Sequence, residues 1–592
     1  DGIRDLVRSR GLGDVYKRQA FDQSIQDSYA RFMTKLGQVS AKWPEAVVLD
    51  NGIIKHAMAN RITAQKEIAL IGGGSLLAIL LLFFLVFKRP GILLYISLPV
   101  FVAMALALLT SLLLFGQIHM ITLVFGASLI GVSIDYTLHF CCAHSSISPC
   151  MDSSATLKSI RPSLTIGLLT SIVGYLTLAT TGFPALEQMA VFAVAGLFGA
   201  YISVLYLLPI FIREQLHVSS SFAAYSAALL HFIHRTRALP LLALVFVLAA
   251  GMLIFLAIKS PGDDVRDMRA QFPQLEKADQ RFMALLGEAP NSQYFVVSAE
   301  SEDGLLDRME ELQRELGQFA DGRAVSVSRW LPSVSQQAKN RQVLQEVLIT
   351  DGATFGSLVD AGMPSGILVR YAAELADANA AYLTPGVFLE TGFGGRYKDL
   401  WLGKHDGRYH GLVMLFGYSD MSGLRSIADQ VTGVVFVDRA GYVSQLFEQY
   451  RQAFERIAPY ILLVMVVLLS LRYGLAPALR IVSIPVIAAL LTLVIIILVK
   501  GHYNLFNLFG LVVTVAVAID YGVFMRESGR ESAHVLLAIM LSAVTTAISL
   551  GLLALSITPA LASFGTSLLL GVLFACLLTF VSIRPASLEQ NR

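Results

Sequence analysis

Charge is what this 592-residue chain has least of. Asp, Glu, Lys and Arg make up 15% of it while 55% is hydrophobic, against about 25% charged residues in an ordinary soluble domain. The imbalance excludes a soluble globular chain and points to a polytopic membrane protein. A net charge of +2 provides no basic surface, so no nucleic-acid partner is expected. Four cysteines are too few for a disulfide framework. Cys141, Cys142 and Cys150 cluster near His139 and His144, yet the spacing matches no zinc pattern. We expect reduced, inert thiols, no metal site and no cofactor.

A secretory signal is also lacking. Residues 1–19, DGIRDLVRSRGLGDVYKRQ, have no apolar core and no small-residue cleavage site. They resemble the translated adapter that recurs at the start of many metagenomic reading frames, and they are set aside as non-native. The authentic chain is expected to begin upstream.

What the chain has in abundance is apolar runs long enough to cross a bilayer, for which about 20 residues suffice. Eleven are read, at 68–87, 91–116, 118–142, 162–180, 187–212, 238–258, 457–471, 481–499, 503–525, 534–557 and 560–583. The Lys and Arg of the short loops fall on one side. Lys88, Arg89, Lys158, Arg161, Arg213, Arg235, Arg237, Arg472, Arg480, Arg526, Arg530 and Arg584 form one set, and the other side holds little beyond Lys500. The positive-inside rule makes the first set cytoplasmic. The domains expected are a remnant of a first outer domain (20–66), a first membrane block (67–217), a cytoplasmic linker helix (218–237, its core Ser221–His234) and a span (238–258). An outer domain (259–455), a second membrane block (456–584) and a cytoplasmic tail (585–592) follow. In the outer domain, strand–helix–strand patterns at 293–330 and 410–437 predict two small α+β modules.

Within this apolar chain, Gly131–Phe140 reads GVSIDYTLHF, and Val515–Met525 reads VAVAIDYGVFM. Ile134-Asp135-Tyr136 recurs as Ile519-Asp520-Tyr521 at an offset of 385 residues, and Thr170-Ser171 aligns with Thr545-Thr546 at 375. Pro184-Ala185-Leu186 recurs as Pro559-Ala560-Leu561 at the same 375. An ionised acid at membrane depth costs roughly 2.5–3.5 kcal/mol, so such residues mark function. Desolvation disfavours the charged form of an acid, which lets it load and release a proton. One charge crossing the field is worth roughly 2.3 kcal/mol per 100 mV. Adjacent Asp and Tyr point about 100° apart on a helix, so we expect each carboxylate to pair across the repeat, Asp135 with Tyr521 and Asp520 with Tyr136. Gly131 and Ala516, one turn earlier, are expected to let these two helices approach closely. His139, one turn beyond Asp135, is a candidate for passing the proton toward the cytoplasm, and Phe524 stands at its repeat position. Thr170, Ser171, Thr545 and Thr546 either support the relay or pack helices.

Two Asp-Tyr pairs at matching places in the repeat, one span plus five, and a large outer domain before the second block resemble the resistance-nodulation-division superfamily, and within it the MMPL-type exporters. Asp263-Asp264-Val265-Arg266 and Ser328-Arg329-Trp330-Leu331-Pro332 are similar to predicted exporters associated with lipid or aryl-polyene synthesis. The resemblance implies a pseudo-two-fold repeat of twelve spans, eleven of them present, and ferredoxin-like porter modules in the periplasm. It implies proton-driven export of lipidic or hydrophobic molecules across a bacterial inner membrane, with a homo-oligomer or a periplasmic carrier as possible partner besides membrane lipids. It implies a secondary transporter rather than an enzyme. Two other readings stand beside it. One is a sterol-sensing-type regulator that uses the fold without transport. The other is an intramembrane aspartyl protease, in which two acids activate water; the GxGD-type motif of that class is absent.

Overall fold

The computed structural model describes residues 23–212 except 44, 46–47, 49, 51, 147–152 and 181, scattered positions between 213 and 260, and residues 261–582 except 269, 287–289, 348–352, 377–380 and 528–531. The segment 1–19, most of the linker helix and nearly all of the span 238–258, the tail 585–592 and Cys150 lie outside the described residues. The chain forms two compact units, residues 55–272 with 443–592 and residues 1–54 with 273–442.

The membrane unit begins with α1 (Ile54–Phe87), α2 (Gly91–Phe115), α3 (Met120–Ser146), α4 (Ser153–Ala179) and α5 (Pro184–Tyr206). Lipid leaves no water for backbone groups, so each apolar run closes its own hydrogen bonds as a helix. α1 is continuous through a π-turn at Ile68–Gly73, where a boundary at 66–67 was expected. It ends at Lys88 in the left-handed region (φ 51°). α4 begins at Ser153, nine residues ahead of the span read from 162, and carries Pro162 inside it.

In the other unit, β1 (Pro290–Ala299) leads into α6 (Glu302–Leu316) and β2 (Arg323–Val325). Ser301 caps α6 by accepting from the Gly304 N–H at 3.0 Å. After a helical insert come β3 (Trp401–His405), β4 (Arg408–Phe416), α7 (Met421–Gln430) and β5 (Val434–Asp438). The sheet order is β2-β4-β1-β5, with β3 on β4 and every pair antiparallel. The expected two modules are therefore one. β1 inserts between β4 and β5, so the two strand–helix–strand units interleave as a split β-α-β arrangement. The reason is burial. Phe295 and Val297 of β1, Val413 and Leu415 of β4 and Leu305, Met309 and Leu312 of α6 share a single core, which neither unit closes alone.

The membrane unit resumes in α8 (Arg439–Tyr473), then α9 (Leu475–Lys500), α10 (Leu505–Glu527), α11 (Ser532–Gly551) and α12 (Pro559–Ser582). α8 is unbroken across the expected boundary at 455–456. Among the described residues, nine helices are long and apolar enough to cross a membrane, and α3 is a further helix of 27 residues.

Polar staples hold the two acid-bearing helices at their starts. Gln188 of α5 accepts from the His119 N–H and from Thr122 Oγ1, each at 2.8 Å, and donates to the Gln117 carbonyl. At the start of α10, Asn504 donates to Ser563 Oγ at 3.1 Å and Asn507 to the Ser563 carbonyl at 2.9 Å. His119, Thr122 and Gln188 precede Asn504, Asn507 and Ser563 by 385, 385 and 375 residues, the offsets read from the acids and hydroxyls.

Candidate functional site

Asp135 on α3 and Asp520 on α10 are both buried, 6% and 8% exposed. The two carboxyl groups stand close enough to interact electrostatically. Among the described residues no cation lies against either. Two buried acids without a cation beside them cannot both be ionised cheaply.

Their partners are hydroxyls, supplied crosswise. Thr545 and Thr546 of α11 donate to Asp135 Oδ1 and Oδ2, each at 3.4 Å, and Thr170 of α4 donates to Asp520 Oδ1 at 3.4 Å. Each acid is thus met by the helix that follows the other acid. Thr170 also reaches the Gly167 carbonyl at 3.0 Å, and Thr545 the Ser542 carbonyl at 2.9 Å. A hydroxyl has a single proton, so each of these two threonines shares it between its own backbone and the acid. Ser171 is buried with no partner for its hydroxyl among the described residues.

The expected Asp–Tyr pairs do not form. The buried hydroxyls of Tyr136 and Tyr521 have no hydrogen-bond partner among the described residues, and the Tyr136 ring meets Tyr201 edge-on at 6.2 Å. The cause is which helices pack. α3 lies along α11 and α10 along α4, so the faces bearing the carboxyls turn to those hydroxyl-bearing helices. α3 and α10 meet through side chains: the His139 ring stacks on Phe524, centroids 3.4 Å apart and planes 9° from parallel. The two repeat-related positions thus face each other.

Close approach occurs as well, though at other partners than expected. A Cβ on Gly131 would fall 1.9 Å from Ser549 Oγ of α11, and a Cβ on Gly174 of α4 would fall 2.3 Å from the Ala516 Cβ. Gly131 and Ala516 therefore hold their helices against α11 and α4, and not against one another. Gly174 and Ser549 are again 375 residues apart, so one glycine serves each contact from opposite members of the pair. A Cβ on Gly167 would lie 2.8 Å from Asp520 Oδ1; its counterpart at the same offset is Ser542. Gly167, Gly174, Ser542 and Ser549 were missed in the sequence, although the offset of 375 that pairs the threonines also picks them out. Cys141, Cys142 and Cys576 are free and buried, and the described residues hold no group of three or more His, Cys, Asp or Glu able to take a metal.

No protein-family model and no curated protein sequence matches the chain. Solved structures do. A heavy metal efflux pump in its crystal form I is similar with a TM-score of 0.51 at 13% identity, over 88% of this chain and 67% of the pump. Crystal form II gives 0.51 at 12%, over 89% of this chain and 66% of the pump. The chain thus spans about two thirds of the pump's length, and at these identities the likeness is one of fold.

Proposed function

We propose that the chain is a proton-coupled exporter of the resistance-nodulation-division type, closest in character to its MMPL-like lipid exporters, acting in a bacterial inner membrane with residues 259–455 largely periplasmic. The observation that carries this reading is the crossed arrangement of Asp135 with Thr545 and Thr546 and of Asp520 with Thr170. When an acid is protonated it can donate to the threonine oxygen, and the threonine proton returns to its own helix. When the acid ionises, the hydroxyl turns to it. One proton thereby changes how α3 grips α11, or how α10 grips α4. Tyr136 and Tyr521 are buried within electrostatic reach of the pair. The proposed cargo is lipidic or hydrophobic. In support, the helical insert between β2 and β3 exposes Val343, Ile367, Val369, Val387 and Phe393.

The test is export of hydrophobic material by cells carrying the intact gene, with and without a protonophore. Asp135→Asn or Asp520→Asn should abolish export while the protein stays inserted, because Asn keeps volume and hydrogen bonding but exchanges no proton. Tyr136→Phe and Tyr521→Phe should retain most of it, since each phenol oxygen lacks a partner among the described residues. Normal export by both Asn variants, or export indifferent to a collapsed gradient, would refute the reading.

A further inference from the structure

Beyond the acids, toward the end of the bundle where α8 and α10 finish, lies a cavity of about 210 Å³ lined by His139, Cys142, Ser163, Glu527, His534 and Ala538, with Phe524 beside them. At about 30 Å³ per water in the liquid, it has room for several. Its walls come from α3, α4, α10 and α11, the four helices that build the acid site. Glu527 follows Asp520 by seven residues, two helical turns along the same face, and His139 follows Asp135 by four, one turn. The stacked His139 and Phe524 rings both line this space, each four residues beyond the acid of its own helix.

Glu527 is held from three sides. Its Oε1 accepts from Tyr473 at 2.7 Å and from Arg472 at 3.3 Å, and its Oε2 accepts from Ser163. Arg472 is half exposed, while the Glu527 side chain is 18% exposed. A carboxylate at the boundary of a cavity of mixed polar and apolar lining, gripped by a cation that itself reaches solvent, has the geometry of a port.

We propose that this cavity is the water-filled proton port of both acids, with Glu527 as the group that exchanges protons between cavity water and bulk water. The inference rests on the proton-coupled reading and adds to it the route. A proton released by Asp135 or Asp520 passes to cavity water, which hands one proton on to the Glu527 carboxylate as it takes one up, so the water is left neutral. The neutral acid loosens from Arg472 and releases the proton to bulk water, and the carboxylate is restored. His139 and His534, the other titratable groups facing the cavity besides the Cys142 thiol, carry protons across it in the same relay.

The experiment uses the chain reconstituted in liposomes with an entrapped pH-sensitive dye and an imposed proton gradient. Glu527→Gln should slow proton flux by about two orders of magnitude, the scale of a lost acid–base group, and Glu527→Asp should restore a measurable part of it. Ala538→Leu, which fills the cavity without touching a titratable group, should slow flux as well. Monodisperse elution in detergent checks that each variant is folded. Asp135→Asn separates the two readings. If it conducts as well as the unaltered chain, proton coupling itself fails. If it is inactive while Glu527→Gln keeps the original rate and pH profile, the port is overturned and the acid pair stands. If Glu527→Gln is slow, Glu527→Asp is no better and Ala538→Leu is normal, the Glu527 contacts only hold helices and the port is likewise overturned.

Discussion

The smallest groups decide the most at the acid site. Gly167 leaves the space that the Asp520 carboxyl occupies, since a Cβ there would stand 2.8 Å from Oδ1. Gly167→Ala should therefore abolish transport although every titratable group remains, as an export assay on a folded variant would show. At Gly174 the obstacle is the Ala516 Cβ, 2.3 Å from the added atom, a rigid neighbour. Overpacking of this kind costs about 1–3 kcal/mol. Gly174→Ala should lower the thermal midpoint in detergent, and Ala516→Gly in the same chain should recover it; a double variant no better than the single would show that the two positions do not meet. In the other unit, His410 of β4 is buried, with Nδ1 2.8 Å from Ser298 Oγ, and burial holds its pKa below the ordinary histidine value. The unfolded chain then binds a proton that the native one refuses, so stability should fall as pH drops below about 6.5, by at most about 1.4 kcal/mol per pH unit. Urea midpoints of His410→Gln should lose that slope.

At the scale of elements, one clasp ties three segments of the membrane unit. Asp263 pairs with Arg451 of α8 at 2.6 Å, both side chains 6% exposed, and its other oxygen accepts from the Leu505 N–H at 3.0 Å. It therefore caps from a distance the helix that carries Asp520. Arg451 continues to Glu455 at 2.8 Å, and Tyr503 donates to that same carboxylate at 3.1 Å. Removing Asp263 would leave the buried Arg451 guanidinium with only its partner Glu455 at close range and would open the N-terminus of α10. Breaking a buried pair costs about 3–5 kcal/mol, so Asp263→Ala should unfold well below the unaltered chain, whereas joint apolar replacement of Asp263 and Arg451 should recover much of the loss. Thermal unfolding of the two singles and the double measures it. The sheet makes the complementary point. Four of its five strands fall within the strand–helix–strand patterns read from the sequence and β3 does not, while β1 pairs with β4 and β5, more than a hundred residues away, and no local pattern announces that.

For the whole molecule, the proposed orientation rests on the Lys and Arg of the short loops. An exposed cysteine in the helical insert, Val387→Cys, should react with a membrane-impermeant maleimide on intact spheroplasts. Leu475→Cys, at the exposed first residue of α9, should react only once the membrane is opened. The reverse pattern would invert the topology.

What the sequence determined by itself is whatever depends on a residue and its near neighbours. Lipid demands apolar runs of sufficient length, so the membrane class was legible from composition. The two IDY motifs stood out because ionisable residues are expensive there. Fixed offsets related the acids and threonines before any contact was known. Tertiary structure alone decided which face of each helix meets which partner, because rotation of a helix about its axis is settled by packing against all its neighbours at once. That is why Asp135 and Asp520 face threonines of the other half while Tyr136 and Tyr521 bond to nothing described, why two strand–helix–strand units share one core, and why a cavity opens beside His139 and Glu527.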